Sequence, residues 1–276
     1  MDLKKKFEED GYIIFDTRMS SKVFDRIINN LAHHFGPNRE IPIHVPHSDH
    51  ARIQDAWHIN QDVLEVALAP RVLEILQHIY GKTPQPFQTL NFYKGSQQPV
   101  HADTIHFNCE PFGAMCGVWV ALEDISLDQG PLIYYPGSHK LPEMNYDYFN
   151  LESKKDSYPI YLSEIQKLIK LNDFSREYGI LSKGQCLVWS ANLLHGGAIQ
   201  TKRELSRHSQ VTHYFMGEPK AWRPIQSSEN RHYFKPEKVE DVSNKPYRYP
   251  ISPPPPTLSE RLADKVKRTI RGKNHK

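Results

Sequence analysis

The first third of the chain places its apolar residues at the spacing of amphipathic helices. In the segment 23–35, VFDRIINNLAHHF, apolar positions recur every three or four residues, and Ser20 precedes the segment as a possible cap. The segment 61–80 repeats the pattern, and Gly81 is a natural stop because glycine readily takes the left-handed conformation that ends many helices. We therefore expect residues 1–84 to form a helical region that packs on a core.

From residue 85 the pattern changes to short apolar runs that are separated by turn residues. Such runs, rich in aromatic and β-branched residues, are typical of antiparallel sandwiches and barrels. The predicted strands are 87–93, 114–122, 131–135, 186–189 and 209–215. A helix-like stretch, SEIQKLIKL, lies between the third and fourth of them. The pattern thus predicts a mainly β core over 85–218 with flanking helices and a helical insertion at about 141–178.

The chain beyond this core is rich in proline and lysine. Four consecutive prolines at 253–256 predict a semi-rigid polyproline element that ends the domain. The stretch 265–276 carries several basic residues and no acidic one, and we expect it to be a solvated tail. We therefore treat 219–276 as a C-terminal extension of a single domain.

Composition narrows the class of protein. A net charge of +3 over 276 residues gives no reason to expect a nucleic-acid partner. The three cysteines form no C-x-x-C pair, so a reducing compartment is expected rather than a disulfide framework. The N-terminus is charged and lacks the apolar stretch of a signal peptide. The apolar runs are shorter than the roughly 20 residues of a membrane span. We expect a cytoplasmic protein with a small-molecule substrate, and the oligomeric state stays open.

The triplet His101-Ala-Asp103 is the first candidate for chemistry. Residues two positions apart in a strand point to the same face, so His101 and Asp103 would present an imidazole and a carboxylate side by side. With a second histidine they would form the set that binds one face of iron(II) and leaves coordination positions open. The same alternation places His106 on the opposite face, away from the metal. The triplet alone is a common pattern, so its meaning depends on the rest of the chain.

His195 is the candidate for the second histidine. It ends the segment GQCLVWSANLLH, which has the pattern of a turn, a buried strand and a short loop, and two glycines follow it. Glycine at these positions permits close approach of another backbone or of a ligand. Taken by itself, His195 fits a buried structural histidine better than a metal ligand.

Arg207 lies at the entrance to the last predicted strand. An arginine inside a β-barrel needs an anionic partner, because an unpaired buried charge is costly. A dicarboxylate would supply that partner, since the guanidinium group can grip a carboxylate with two parallel hydrogen bonds. The alternative is a surface arginine, because the neighbouring residues 202–204 have the composition of a turn.

These residues, taken together and in order, resemble the phytanoyl-CoA dioxygenase family of iron(II)- and 2-oxoglutarate-dependent oxygenases. The resemblance covers about residues 87 to 215 and rests on the segments QPVHADT (98–104), GVWVALED (117–124), DQGPLIYYPGSH (128–139) and 184–207. It implies a double-stranded β-helix, the cupin-like jelly-roll, with helices packed outside.

The resemblance also implies roles for individual residues. His101, Asp103 and His195 would bind Fe(II), and Arg207 would hold the far carboxylate of 2-oxoglutarate. The other positions that match the co-substrate pocket are Gln98, Thr104 and Trp119. Arg207 lies one residue further from the second histidine than is usual in the family, which leaves Arg203 as an alternative anchor.

The resemblance also bears on the reaction. Related halogenases carry a small residue where this chain has Asp103, so we expect oxygen from O2 to be inserted into a C–H bond, with release of succinate and CO2. The segments 36–60 and 140–182 are polar and rich in asparagine, lysine and tyrosine, which favours a small polar or sugar-linked metabolite. Two alternatives stay open: a metal-dependent cupin-like lyase or isomerase that does not use 2-oxoglutarate, and a non-catalytic jelly-roll binding protein.

Overall fold

The computed structural model describes residues 2–36, 51–154, 156–226, 232–236 and 239. Its helices are α1 (Leu3–Asp10), α2 (Ser21–Leu31), α3 (Gln61–Ala67), α4 (Pro70–Tyr80) and α5 (Ser157–Leu171). Its strands are β1 (Tyr12–Asp16), β2 (Arg52–Gln54), β3 (Pro84–Phe92), β4 (Asn108–Glu110), β5 (Met115–Ala121), β6 (Leu132–Tyr134), β7 (Glu177–Tyr178), β8 (Gln185–Ser190), β9 (His195–Gly197), β10 (Ser209–Met216) and β11 (Lys220–Trp222).

The strands form a jelly-roll. A six-stranded antiparallel sheet has the order β1-β8-β5-β10-β3-β2, and a three-stranded sheet has the order β7-β6-β9. A further pair joins β4 to β11. The fold is therefore mainly β with flanking helices, as the sequence predicts.

The large sheet is buried on both faces. Successive side chains along β10 point alternately to one face and to the other. Tyr214 and Gln210 point to the helices, where the Tyr214 hydroxyl donates to the carbonyl of Ala67 (2.8 Å) and the Gln210 amide to that of Val63 (3.0 Å). The odd-numbered residues Ser209, Val211 and His213 point the opposite way and therefore face the interior of the jelly-roll. That interior is where β10 meets the candidate functional residues.

The N-terminal region differs from the helical prediction because it also supplies two strands. β1 pairs with β8, so that Tyr12 lies opposite Trp189, and β2 pairs with β3 at the other edge of the sheet. The segment 61–80 forms two helices rather than one. Pro70 is the first residue of α4, where proline is tolerated because that position needs no backbone N–H donor.

The described C-terminal residues also join the core. β11 pairs with β4 in antiparallel fashion, with Ala221 opposite Cys109. The chain therefore continues in regular structure past residue 218, where the sequence predicts an extension. The proline run at 253–256 and the tail 265–276 lie outside the described residues. No helix within the described ranges is both long enough and apolar enough to cross a membrane.

Candidate metal centre

A backbone bridge places His101 and His195 side by side. The amide of each donates to the carbonyl of the other, both at 2.9 Å, and the ring centroids lie 4.7 Å apart. Each ring is further fixed through its Nδ1 atom, His101 to the carbonyl of Pro99 and His195 to that of Leu193, both at 2.9 Å. Such contacts orient histidine ligands in metal sites, and they leave Nε2 of each ring as its candidate metal-binding atom.

Asp103 completes the cluster. Its Oδ1 atom lies 3.6 Å from Nε2 of His101 and 3.6 Å from Nε2 of His195. The three side chains are buried, and their candidate ligand atoms all lie within 4.8 Å of one another. Two imidazoles and one carboxylate in a buried position form a donor set that suits iron(II). The three side chains therefore fit the iron(II) that the sequence predicts.

The local conformation around Asp103 differs from the predicted strand. Ala102 is extended, which brings residues 101 and 103 together, but a 3-10 turn then begins at Asp103 and runs to Ile105. The predicted alternation is therefore wrong beyond Asp103. The turn carries His106 back to the cluster, where its ring meets that of His101 edge-on at 5.2 Å.

Two side chains that the sequence argument missed hold the Asp103 carboxylate. The indole Nε1 of Trp189 donates to Oδ2 at 2.8 Å, and Nε2 of His213 lies 3.5 Å from the same oxygen. Both come from the large sheet, Trp189 on β8 and His213 on β10. His213 lies an even number of residues after Arg207, so in an extended strand the two side chains point to the same, inward face. This alternation along β10 is the sequence signal that could have identified His213.

The protonation states of the cluster suit metal binding. Burial lowers the pKa of His195 to about 4, so its imidazole is neutral at pH 7, as a metal ligand must be. Burial opposes ionisation of Asp103, but the adjacent imidazoles of His195, His101 and His213 hold the pKa of that carboxyl well below its ordinary value. The carboxylate is therefore charged at neutral pH.

Arg207 is a buried cation whose position fits an anion-binding role. It is only 5% exposed, and no carboxylate in the described part of the chain forms an ion pair with it. Its Nη1 donates to Oγ of Ser209 at 2.7 Å and its Nη2 to the carbonyl of Lys94 at 3.2 Å, whereas its Nε is buried without a partner. Burial lowers the pKa of Arg207 to about 10, so it remains charged at pH 7. Arg203, the alternative anchor, is exposed.

The other predicted pocket residues have different surroundings. Trp119 is buried beside Arg207, whose guanidinium carbon lies 5.5 Å from the centre of its ring, and its indole Nε1 has no partner among the described residues. The Gln98 amide nitrogen lies 3.2 Å from Nε2 of His101. Thr104 donates through its hydroxyl to Asn192 at 3.3 Å, which ties the 3-10 turn to the loop before β9. Arg207 and Trp119 thus each have one buried N–H group without a hydrogen-bond partner, and the two side chains lie next to each other in the core.

Gly117 provides the space for Trp189. The two residues face each other across β5 and β8, and a Cβ atom on Gly117 would lie 2.2 Å from Cζ2 of the indole. We expect Gly117→Ala to lower the free energy of unfolding by about 1–3 kcal/mol, the usual cost of overpacking a core. Denaturant unfolding measures this cost. An unchanged unfolding midpoint for Gly117→Ala alone would contradict the packing described here.

Comparison with known proteins agrees with this fold. The model of the phytanoyl-CoA dioxygenase (PhyH) family matches residues 7–209, and the chain belongs to that family. It is 22% identical to the peroxisomal phytanoyl-CoA dioxygenase of Bos taurus over 217 residues, which make up 71% of this chain and 63% of the relative. It is 24% identical to the phytanoyl-CoA dioxygenase domain-containing protein 1 of Danio rerio over 181 residues, or 63% of this chain and 60% of the relative. The chain thus spans less than two thirds of the length of either relative.

Solved structures share the fold at low sequence identity. The non-heme alpha ketoglutarate dependent carbocyclase SnoK from nogalamycin biosynthesis superposes with a TM-score of 0.62 at 15% identity, over 87% of this chain and 92% of its own. The epimerase SnoN from the same biosynthesis has a TM-score of 0.59 at 19% identity, over 90% and 91% of the two chains. EctD from S. alaskensis, solved with 2-oxoglutarate and 5-hydroxyectoine, has a TM-score of 0.56 at 18% identity, over 83% and 80%.

Proposed function

We propose that this protein is an Fe(II)- and 2-oxoglutarate-dependent dioxygenase that hydroxylates a C–H bond of a small metabolite. One observation carries the proposal: a buried two-histidine, one-carboxylate cluster and a buried arginine without a carboxylate partner share the same jelly-roll core. A single apolar cluster contains both Trp119, which contacts Arg207, and Trp189, which contacts Asp103. A metal site without a dicarboxylate co-substrate, as in a cupin-like lyase, would have no use for Arg207.

In this proposal His101, Asp103 and His195 bind the iron. Asp103 contributes one negative charge and the imidazoles contribute none, so the centre keeps a positive charge that attracts an anionic co-substrate. Arg207 binds the far carboxylate of 2-oxoglutarate, because its guanidinium group is charged, buried and incompletely hydrogen-bonded. The Trp119 indole N–H is a second donor beside it, and Gln98 and Thr104 complete the predicted pocket.

Iron with 2-oxoglutarate and O2 supplies the oxidising chemistry that converts a C–H bond to C–OH, with release of succinate and CO2. The protein's own residues orient the reactants and exclude water. Trp189 and His213 keep the Asp103 carboxylate in place, since outer partners of this kind fix the geometry of metal ligands. The ligands themselves are 3–4% exposed, so bulk water has little access to them.

The nature of the reaction and substrate is part of the proposal. Epimerisation and carbocyclisation are named for two proteins of the same fold, so the fold alone permits several outcomes. The carboxylate at Asp103 supports oxygen insertion over halogenation. A small polar or sugar-linked substrate is supported by the hydrogen-bonding groups next to His101, namely Gln98, His106 and the hydroxyl of Tyr158, which lies 3.4 Å from His106.

Anaerobic titration of the purified protein with Fe(II) and 2-oxoglutarate tests this function. We expect a weak visible charge-transfer band that needs both components, because the band would arise from 2-oxoglutarate bound directly to the iron. A chelator should remove the band and the release of succinate, and added Fe(II) should restore both. Zn(II) is the matched control, since it can occupy the same ligands without giving the band. A protein that binds one equivalent of iron but shows no band would contradict the proposal.

A further inference from the structure

The helical insertion that follows β6 carries a tyrosine that contacts the metal-ligand segment. Tyr161 lies on α5, and its hydroxyl accepts a hydrogen bond from the backbone amide of Ala102 at 3.2 Å. Ala102 is the residue between two proposed ligands, His101 and Asp103. Tyr161 and Ala102 are each 0% exposed, so this hydrogen bond is buried. The insertion therefore has a direct contact with the middle of the ligand segment.

The Ala102 amide depends on this side chain for its hydrogen bond. The preceding amide, that of His101, donates to the backbone carbonyl of His195 at 2.9 Å. Ala102 instead donates to the Tyr161 hydroxyl, and the described part of the chain offers it no other acceptor. A buried N–H group without an acceptor is costly. The Tyr161 hydroxyl therefore favours the backbone conformation in which the Ala102 amide points to α5.

That conformation determines how two of the proposed ligands meet. Ala102 is extended, with φ −103° and ψ 142°, and a 3-10 turn begins at Asp103. In this arrangement Nε2 of His101 and Oδ1 of Asp103 lie 3.6 Å apart. A different backbone conformation at Ala102 would change the relative position of these two donor atoms.

Other aromatic rings hold the Tyr161 ring in place. Tyr158 stacks on it with ring centroids 5.9 Å apart, and Phe149 and Tyr146 meet it edge-on at 5.7 and 6.0 Å. Ala102, Tyr146 and Tyr161 belong to one buried apolar cluster, against which the other two rings pack. Because the ring is fixed, the position of its hydroxyl is fixed as well.

A second set of hydrogen bonds joins the insertion to the segment before the third ligand. Asn192, three residues before His195, donates through Nδ2 to the carbonyl of Leu141 at the start of the insertion (2.8 Å). Its Oδ1 atom accepts from the hydroxyl of Thr104, the residue after Asp103, at 3.3 Å. The insertion is therefore bonded to both of the segments that carry the proposed ligands.

We propose that Tyr161 is a positioning residue for the metal centre and that the insertion holds the ligand segment in its metal-binding conformation. The inference rests on the proposed function only in that the cluster binds iron, and it requires neither 2-oxoglutarate nor a particular substrate. Groups that fix metal ligands in this way commonly contribute about 10- to 100-fold to metal affinity or activity.

Anaerobic titration of the metal-free protein with Fe(II), without 2-oxoglutarate, tests this role. Tyr161→Phe removes the hydroxyl and keeps the ring, and we expect Fe(II) to bind at least about tenfold more weakly. Tyr146→Phe is the matched control, because Tyr146 is equally buried in the same cluster and its hydroxyl has no hydrogen-bond partner among the described residues. Its loss should change Fe(II) affinity less than about twofold.

Two measurements separate positioning from a purely structural role. If the hydrogen bond only stabilises the fold, metal-free Tyr161→Phe should unfold at a lower midpoint with unchanged Fe(II) affinity, and that result would overturn the proposal. Amide hydrogen exchange of the metal-free protein, followed by NMR, tests the hydrogen bond itself. The Ala102 amide should exchange at least about tenfold more slowly in the wild type than in Tyr161→Phe. Exchange in the wild type at the rate of an exposed amide would also overturn the proposal, even if the variant did not fold.

Failure of this inference and failure of the proposed function give different results. If Tyr161→Phe weakens Fe(II) binding but the wild type forms no charge-transfer band with 2-oxoglutarate, the proposed function fails and the role of Tyr161 stands. If the wild type forms the band and Tyr161→Phe binds Fe(II) with unchanged affinity, the role of Tyr161 fails and the function stands. A wild-type protein that binds no Fe(II) would contradict both.

Discussion

Asparagine in place of Asp103 should reduce 2-oxoglutarate turnover by at least about 100-fold. Even the outer partners of metal ligands commonly contribute 10- to 100-fold to metal affinity or activity, and Asp103 is proposed as a ligand itself. Asparagine has nearly the same shape and keeps an oxygen that can accept from the Trp189 indole, now at 2.8 Å from Oδ2. The loss should therefore appear in metal binding and turnover, with the fold retained.

The measurement is iron affinity by anaerobic titration, together with succinate release. Asp103→Ala is a harsher variant, because it also leaves the buried Trp189 N–H without an acceptor, which costs about 1–3 kcal/mol of stability. Asp147→Ala is the control, since Asp147 is an exposed aspartate and its removal should leave iron affinity unchanged. Wild-type iron affinity in Asp103→Asn would exclude Asp103 as a ligand.

Methionine in place of Arg207 should raise the concentration of 2-oxoglutarate required for half-maximal turnover by at least about 30-fold. Truncating one partner of a buried, hydrogen-bonded charge pair costs about 2–5 kcal/mol, and a factor of ten corresponds to 1.4 kcal/mol. Iron affinity should stay near wild type, because Arg207 does not touch the metal cluster. A titration of succinate release against 2-oxoglutarate concentration gives the value directly.

Arg203→Met is the matched control, and it also tests the alternative anchor. Arg203 is exposed, so its loss should change the 2-oxoglutarate requirement less than about twofold. Without co-substrate, Arg207→Met should keep the fold, because the methionine can pack on Phe92 and Trp119 and the variant removes a buried charge that has no carboxylate partner. The Ser209 hydroxyl and the Lys94 carbonyl each lose a hydrogen bond in this variant. The assignment would be reversed if Arg203→Met raised the requirement and Arg207→Met did not.

The strands with a long apolar pattern are the part of the fold that sequence alone predicts. The predicted runs at 87–93, 114–122 and 209–215 correspond to β3, β5 and β10, and the shorter runs at 131–135 and 186–189 to β6 and β8. The apolar pattern does not predict β1. Its residues YIIFD are apolar at consecutive positions and follow a helix, and only pairing with β8 selects the extended form. β2, β4 and β9 have three residues each, too few for a pattern to develop.

The candidate ligands could be selected from sequence, but their arrangement could not. His101 and His195 are far apart in the chain, and the bridge between them depends on the whole jelly-roll. The turn at Asp103 overrides the strand alternation that placed His106 elsewhere. Trp189 and His213 contact Asp103 through space from two different strands. Long-range contacts of this kind leave no local pattern, so the alternation of side chains along β10 is the only sequence signal that could have identified His213.

The paired amides of His101 and His195 have a consequence for how the metal is exchanged. Because these two backbone hydrogen bonds involve no side chain, they hold the two ligand positions together whether or not an ion is bound. The protein therefore does not have to order these two residues when iron arrives, and little conformational entropy is lost on loading. In the proposed iron site, iron that is lost or oxidised could therefore be replaced without unfolding of the protein, and the metal would not be needed to maintain the fold.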